Sequence, residues 1–252
     1  MILTHRFRLS IVLVLFPLFL SGAQASAEGR TRLNVMVQEV VDGDTVIVEG
    51  GDRIRFLGID APEKGEEYSE RARCRVLELV KEPVDLILCE ERDDYGRSLA
   101  VLYKEGLNIN QTLLGEGLAL PMLIPPCGRM VAGEVLQASG SALLSRRGVY
   151  SGASFDPVSH ENAGEKIGSR AVVRGRILRL HKGRTAWHLN FGEDFRTDFT
   201  AVLFREGQRR FRDLGLDPGD LVGREVLVLG KVKEYNGPEI IIKGPEQIIP
   251  LH

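Results

Sequence analysis

Cysteine is scarce in this 252-residue sequence: Cys74, Cys89 and Cys127 are all there are, at separations that match no zinc pattern. The five histidines are scattered too, so no transition-metal centre is indicated. Three cysteines allow one disulfide with one free thiol, in any of three pairings, or three small apolar side chains packed inside. Long apolar runs are equally few. Only Leu9 to Leu20 qualifies, and its twelve residues fall short of the roughly 20 that a bilayer span requires. Neither charge sign dominates: 33 Lys and Arg stand against 35 Asp and Glu, and the net of −2 gives no hint of a polyanionic partner. A 43% hydrophobic and 27% charged composition excludes disorder, collagen and a polytopic membrane protein. The length suits one to two domains.

The amino terminus is organised as a leader. Arg6 and Arg8 precede the apolar run, and small residues follow it from Ser21 to Ala27, with Ala-x-Ala sites ending at Ala25 and Ala27. A basic start, a short apolar core and such a site predict a secretory signal peptide over residues 1–27 and an exported protein, periplasmic or secreted. No cysteine follows the run, which argues against a lipoprotein anchor. Export to an oxidising compartment would permit a disulfide.

Beyond the leader, Leu33 to Val48 alternates as strand, interrupted at Asp42-Gly43-Asp44, and Gly50-Gly51-Asp52 turns the chain into a second strand ending at Ile59. Glu66 to Lys81 reads as helix with Ala72, Val76, Leu77 and Val80 on one face. Strands at Val84 to Cys89 and Leu99 to Tyr103 flank the turn Asp93 to Gly96, and a short helix follows around Ile109 to Leu114. A longer helix is expected from Met130 to Arg146, facing inward with Val131, Val135, Ala138 and Ala142. Residues 151–166 are polar, aperiodic and rich in breakers, so they read as a linker. After it come strands at 171–180, 185–191 and 198–204, a basic helix at 205–213, and two strands around the Asn236-Gly237 hairpin. Five strands with a helix between the third and fourth suit a small OB-type barrel.

Charge divides along the same boundary. Glu28 to His160 holds 15 basic and 22 acidic residues, whereas Glu161 to His252 holds 16 basic and 13 acidic. An acidic first unit and a mildly basic second one hide behind the neutral total.

In the first unit Asp44, Asp60, Glu63, Arg55 and Arg97 stand out. Each alone has an ordinary explanation as a turn, a strand exit or a solvated strand residue. Together they say more. Two carboxylates with loop carbonyls form a hard oxygen site for Ca²⁺ or Mg²⁺, and two guanidinium forks suit a phosphate. A further carboxylate, Glu63, could orient or deprotonate water, which completes the groups needed for metal-assisted phosphodiester hydrolysis.

Three segments, Val41-Asp42-Gly43-Asp44-Thr45-Val46, Ile54 to Glu63, and Asp94-Tyr95-Gly96-Arg97-Ser98-Leu99-Ala100, occur in the order seen in the staphylococcal nuclease-like (thermonuclease) family, which residues 33–150 resemble. Asn110 to Ala119 and Gly148-Val149-Tyr150 extend the likeness. The resemblance implies an α+β, mostly β fold, in which a five-stranded OB barrel packs with three helices. It also implies Ca²⁺-dependent cleavage of DNA and RNA to 3′-phosphate ends. Carried over by position, Asp44, Asp60 and the Ala61 carbonyl would ligate Ca²⁺. Arg55 and Arg97 would grip the scissile phosphate, Glu63 would act on the attacking water, and Tyr95 would bond near the nucleotide phosphate. Asp42 is expected to support the turn rather than bind the ion. Several positions depart from the family pattern: Ala61 replaces Thr, Leu123 stands where a Tyr packs on the base, the loop after Glu63 is shorter, and Asp94 replaces Lys.

In the second unit, residues 167–252, Arg174, Arg176, Arg179, Lys182 and Arg184 cluster, and Trp187, Phe191, Phe195 and Phe199 interleave with Arg196. A basic groove with stacking aromatics holds single strands, but the same residues equally describe a filled barrel with solvated arginines. The Lys231 to Gln247 stretch is similar to nucleic-acid-binding OB domains. The resulting expectation is an exported Ca²⁺-dependent nuclease with an accessory OB-like barrel that holds substrate. The rival is a non-catalytic adaptor for nucleic acid or protein built on the same two barrels.

Overall fold

A computed structural model describes residues 30–251, so the expected signal peptide over residues 1–27 lies outside the described residues. The first sheet begins with β1 (Arg30–Val35), β2 (Val37–Val40), β3 (Thr45–Val48) and β4 (Arg53–Phe56), after which β5 (Gly58–Asp60) leaves it for a separate two-stranded pairing. After α1 (Ser69–Leu79) the first sheet is completed by β6 (Val84–Arg92) and β7 (Ser98–Lys104), in the order β1-β6-β7-β4-β3-β2. Successive halves of one bent strand, β1 and β2, form the two ends of that order, so the sheet curls into a barrel. Its one parallel contact is β4 beside β7. Period-two burial fills the interior: Val46, Val48, Ile54, Phe56, Leu86 and Leu88 point inward.

Next come β8 (Leu107–Asn108), α2 (Ile109–Gly115), β9 (Leu120–Met122) and α3 (Ala132–Leu144). The Asn108 side chain accepts the Gln111 N–H and caps α2. Buried Asn110 ties that helix to the barrel: it accepts the Leu102 N–H and donates to the carbonyls of Leu57 and Ala100. The first helix is shorter than its apolar pattern predicts. Tyr68, at φ 71°, breaks the turn before it, and Leu77 faces solvent while Ala72, Val76 and Val80 are buried. All four inward residues expected here are buried: Val131, at the residue before α3, and Val135, Ala138 and Ala142 within it.

Residues 151–166, expected as a bare linker, carry structure of their own. There β10 (Pro157–Ser159) adds in parallel to β11 (Arg170–Arg176), and a 3₁₀ turn over His160–Lys166 buries Ala163. The second sheet continues through β12 (Arg179–Lys182), β13 (Ala186–Asn190), β14 (Thr200–Phe204), α4 (Arg205–Asp213), β15 (Glu225–Glu234) and β16 (Pro238–Ile242). Its order, β10-β11-β15-β16-β14-β13-β12 with β14 parallel to β16, repeats the path of the first barrel. A final strand that the sequence pattern did not reveal, β17 (Ile248–Pro250), pairs with β15 and packs on α3.

The two barrels share a core. Val172, Leu214, Leu227 and Ile249 of the second are buried in one apolar cluster with α3 and the first barrel. Gly140 of α3 makes this approach possible, since a Cβ there would stand 2.7 Å from Ile249 Cγ2.

Candidate functional site

A cleft of about 400 Å³ opens at one end of the first barrel. It is lined by Asp44, Arg55, Asp60, Ala61, Glu63, Tyr95 and Arg97, so the seven residues expected to handle metal, phosphate and water border one space.

Asp44 is placed by the Asp42-Gly43-Asp44 turn. The Asp42 side chain accepts the Asp44 N–H at 3.0 Å, which gives Asp42 a turn-stabilising part. Gly43 packs flat on the next layer: a Cβ would stand 2.7 Å from the Cβ atoms of both Ala61 and Ala72. The Asp44 carboxylate is buried, accepting the Ala61 N–H at 2.7 Å through Oδ2 and the Thr45 hydroxyl at 3.0 Å through Oδ1. Asp60 ends β5 with its side chain 42% exposed to the cleft.

Arg55 lies on β4, paired across the sheet with Thr45 on β3 and Leu99 on β7. Its guanidinium bridges the two acids: Nη1 presses on Asp44 Oδ1, and Nη2 donates to Asp60 Oδ1 at 2.8 Å. Nη1 has no hydrogen bond of ordinary geometry, although it is buried. Burial pulls the Arg55 pKa below its usual value, Asp60 opposes that pull, and the charge of Arg97 adds to it.

Arg97 is held at the β6–β7 turn by Asp93. Its Nε donates to Asp93 Oδ2 at 2.6 Å, its backbone N–H donates to Oδ1 at 2.8 Å, and its guanidinium lies 5.3 Å from the Tyr95 ring centroid. Desolvation works to raise the Asp93 pKa, but the bonds from Arg97 outweigh it and hold the carboxyl below its ordinary value. Asp93 was not foreseen as a site residue; its i,i+4 spacing to Arg97 across a turn was the available signal. Tyr95 is 85% exposed at the mouth of the cleft.

Glu63 is exposed on the rim, its N–H donating to Glu66 Oε2 at 2.8 Å. Among the described residues no three His, Cys, Asp or Glu side chains close on one point. The pair that meets is Asp44 with Asp60, across Arg55, while Glu63 stands apart. Leu123, expected where an aromatic ring would stack, is wholly buried and does not line the cleft; its neighbours Met122 and Ile124 do. The disulfide Cys89–Cys127 ties this wall to β6, and Cys74 is free and exposed on α1.

Of the second unit's aromatics, Phe191 and Phe199 fill the core, Trp187 is half-buried and Phe195 is exposed. Two of the four rings thus belong to a filled barrel, and two reach its surface.

Residues 53–150 match the family described as staphylococcal nuclease homologue, a range that includes Arg55, Asp60, Ala61, Glu63, Tyr95 and Arg97 but not the turn that carries Asp44. Over 111 residues the chain is 35% identical to endonuclease YncB of Bacillus subtilis (strain 168), covering 39% of this chain and 53% of that protein. Over 95 residues it is 35% identical to a micrococcal nuclease of Shigella flexneri, covering 33% of this chain and 55% of that protein. Protein ParB of Escherichia coli is 29% identical over 127 residues, covering 46% of this chain and 71% of that protein. The chain thus spans about half the length of the first two relatives.

Proposed function

We propose that this protein, whose residues 53–150 match the staphylococcal nuclease homologue family, is a nuclease that hydrolyses phosphodiester bonds of DNA, RNA or both. The observation that carries the reading is that Arg55, Arg97, Asp44 and Asp60 line one cleft with Glu63 on its rim. A phosphodiester transition state gathers negative charge on its oxygens, so it needs preorganised cations more than a covalent nucleophile. Arg55 offers a buried, doubly anchored guanidinium. Arg97, fixed by Asp93, offers a second fork from the facing turn. Glu63, exposed and unpaired with any cation in the cleft, accepts a proton from water positioned beside the phosphate.

The donor set suits a hard divalent cation, and we assign Ca²⁺. Asp44 and Asp60 approach closely enough to share one guanidinium, and the Asp44–Ala61 bond brings the Ala61 backbone to the same place. Ca²⁺ takes 6–8 oxygens, so water and phosphate oxygens would complete what these three residues begin. When bound, the ion supplies positive charge to the phosphate and orients water. The products we propose carry 3′-phosphates. The leader pattern and the Cys89–Cys127 disulfide both support export to an oxidising compartment.

The test is direct. Purified chain lacking residues 1–27 is incubated with single- and double-stranded DNA and with RNA, in millimolar Ca²⁺, Mg²⁺ or EDTA. Cleavage that needs Ca²⁺ and stops with EDTA is expected. Intact substrate under all conditions would leave the adaptor reading in its place.

A further inference from the structure

The second barrel has a pocket of its own, of about 490 Å³, outside the cleft just described. Strand register builds its floor. Arg179, Asn190, Thr200 and Glu239 form one lateral row across β12, β13, β14 and β16, and His181 sits opposite His188 on the same face. The imidazole rings lie 6.0 Å apart. His188 Nδ1 is buried with no hydrogen-bond partner, and Asn190 accepts from the Thr200 hydroxyl through its Oδ1. Burial, then the neighbouring His181, lowers the His188 pKa, while burial raises that of Glu239 against the pull of Lys233. The floor thus presents hydrogen-bond donors and acceptors together, with a cation, Arg179, at one end of the row and a carboxylate, Glu239, at the other.

Two aromatic rings stand at the rim. Tyr235 is 72% exposed on the β15–β16 turn, and Phe195 is 52% exposed on the β13–β14 loop. The turn packs directly on that loop: a Cβ at Gly237 would stand 3.0 Å from the Thr197 carbonyl carbon and 3.1 Å from Asp198 O. Arg196 lies over the Phe195 ring at 5.5 Å, and Arg179 donates to the Glu193 carbonyl. The position in the fold matters as well. In the first barrel the cleft lies against the turn joining β6 and β7; here the pocket lies against the turn joining β15 and β16, the same place in the repeated strand order.

We propose that this pocket is a second nucleic-acid site, in which an unpaired base of a single strand stacks on Tyr235 and Phe195 and turns its polar edge to His188, Asn190 and Glu239. Exposed rings offer a face to any base, and a mixed donor and acceptor floor matches the edge of a base that is not paired. The basic surplus of residues 161–252, 16 against 13, favours a polyanion over a neutral oligosaccharide, the other ligand that aromatic rims accept. The proposal rests on the nuclease reading for its biological sense: a strand held here would be kept on the enzyme between cuts.

Binding of a fluorescent 12-nucleotide single-stranded DNA is measured in EDTA, with the double-stranded form and a neutral oligosaccharide as competitors. Tight binding of the single strand is expected, with the combined Tyr235→Ala, Phe195→Ala variant weaker by roughly tenfold to a hundredfold. Both rings are exposed, so the variant should fold; its circular dichroism checks that. A 5-iodouracil strand should crosslink to Tyr235 or Phe195. Unchanged affinity in the variant, crosslinks confined to the first barrel, or displacement of the strand by the oligosaccharide would each overturn the proposal. Cleavage with Ca²⁺ by the unaltered chain is recorded in parallel. Cleavage with variant-insensitive binding removes the pocket alone, and variant-sensitive binding without cleavage removes the nuclease reading alone.

Discussion

Arg210 and Glu246 of the second barrel grip the backbone of Leu123 from both sides. Glu246 Oε1 accepts the Leu123 N–H at 2.9 Å, Arg210 Nη2 donates to the Leu123 carbonyl at 2.7 Å, and the same two atoms pair with each other at 2.7 Å. Leu123 sits between Met122 and Ile124, both of which wall the cleft. The second barrel thus braces the wall of the first barrel's cleft directly. Replacing Glu246 with Ala strands a backbone N–H as well as removing an ion pair. Arg210 is partly exposed, so the pair itself counts for little. The unmet N–H and lost charged hydrogen bond should cost about 2 kcal/mol, read as a lower urea midpoint at unchanged slope. Glu246→Gln keeps an acceptor and should lose less. With the wall loosened, KM should rise more than kcat falls in the Ala variant; equal stability of all three proteins would argue against the brace.

Glu63 and Arg97 separate chemistry from folding. Glu63 is exposed and bonded only through its backbone, so Glu63→Gln should leave the melting temperature unchanged while lowering turnover by roughly 10²- to 10⁴-fold. Arg97→Ala removes a cation aimed at developing charge, and a loss on the order of 10²- to 10³-fold in kcat is expected. Single-turnover cleavage at saturating protein measures both. Near-normal rates in either variant would withdraw the part assigned to that residue.

Much of this site could be read in the sequence because turn chemistry and strand ends are local. Asp42-Gly43-Asp44 announces a tight turn, and Asp60-Ala61-Pro62 a strand exit, wherever the rest of the chain goes. What could not be read depends on partners far away in sequence. Leu123 looks like a surface substitute for a stacking ring until the distant Arg210 and Glu246 pin its backbone and the core takes its side chain. Residues 151–166 look like linker because their apolar anchors, Phe155, Val158 and Ala163, are few and irregularly spaced and the strand is only three residues long. The strand Ile248–Pro250 is legible only once β15 offers it an edge. Barrel order, by contrast, follows from strand number and the helix position, and it recurs in both halves.

Asp93 links pH to the Arg97 fork. Its carboxyl is held below the ordinary value of 3.8, so its contribution is fully present above that value. As pH falls through the lower folded-state pKa, the proton competes with Arg97 and the contribution is lost. Asp93→Asn should imitate the protonated state at neutral pH: Arg97 loses its partner, and KM for substrate rises. The variant's own stability should fall less than wild type's between pH 4 and pH 2. Parallel acid titrations by tryptophan fluorescence, using the single Trp187, would show the two curves converging at low pH. Curves that stay parallel would separate Asp93 from that acid transition.

The Cys89–Cys127 bond closes a loop of sequence separation 38 and anchors one wall of the cleft, where Cys127 is itself a lining residue. Chain-entropy estimates put the stabilisation from such a loop at about 4 kcal/mol, with measured cross-links commonly giving about 2–4. Dithiothreitol, or a Cys89→Ser, Cys127→Ser variant, should therefore lower the melting temperature and reduce cleavage, because β6 and the β9–α3 connection are no longer joined. Cys74 is exposed on α1 and outside the bond, so Cys74→Ser should leave both quantities unchanged and keep the reductant response intact. If the reductant left the melting temperature of the Cys74→Ser protein where it was, the bond would be no support to the cleft wall.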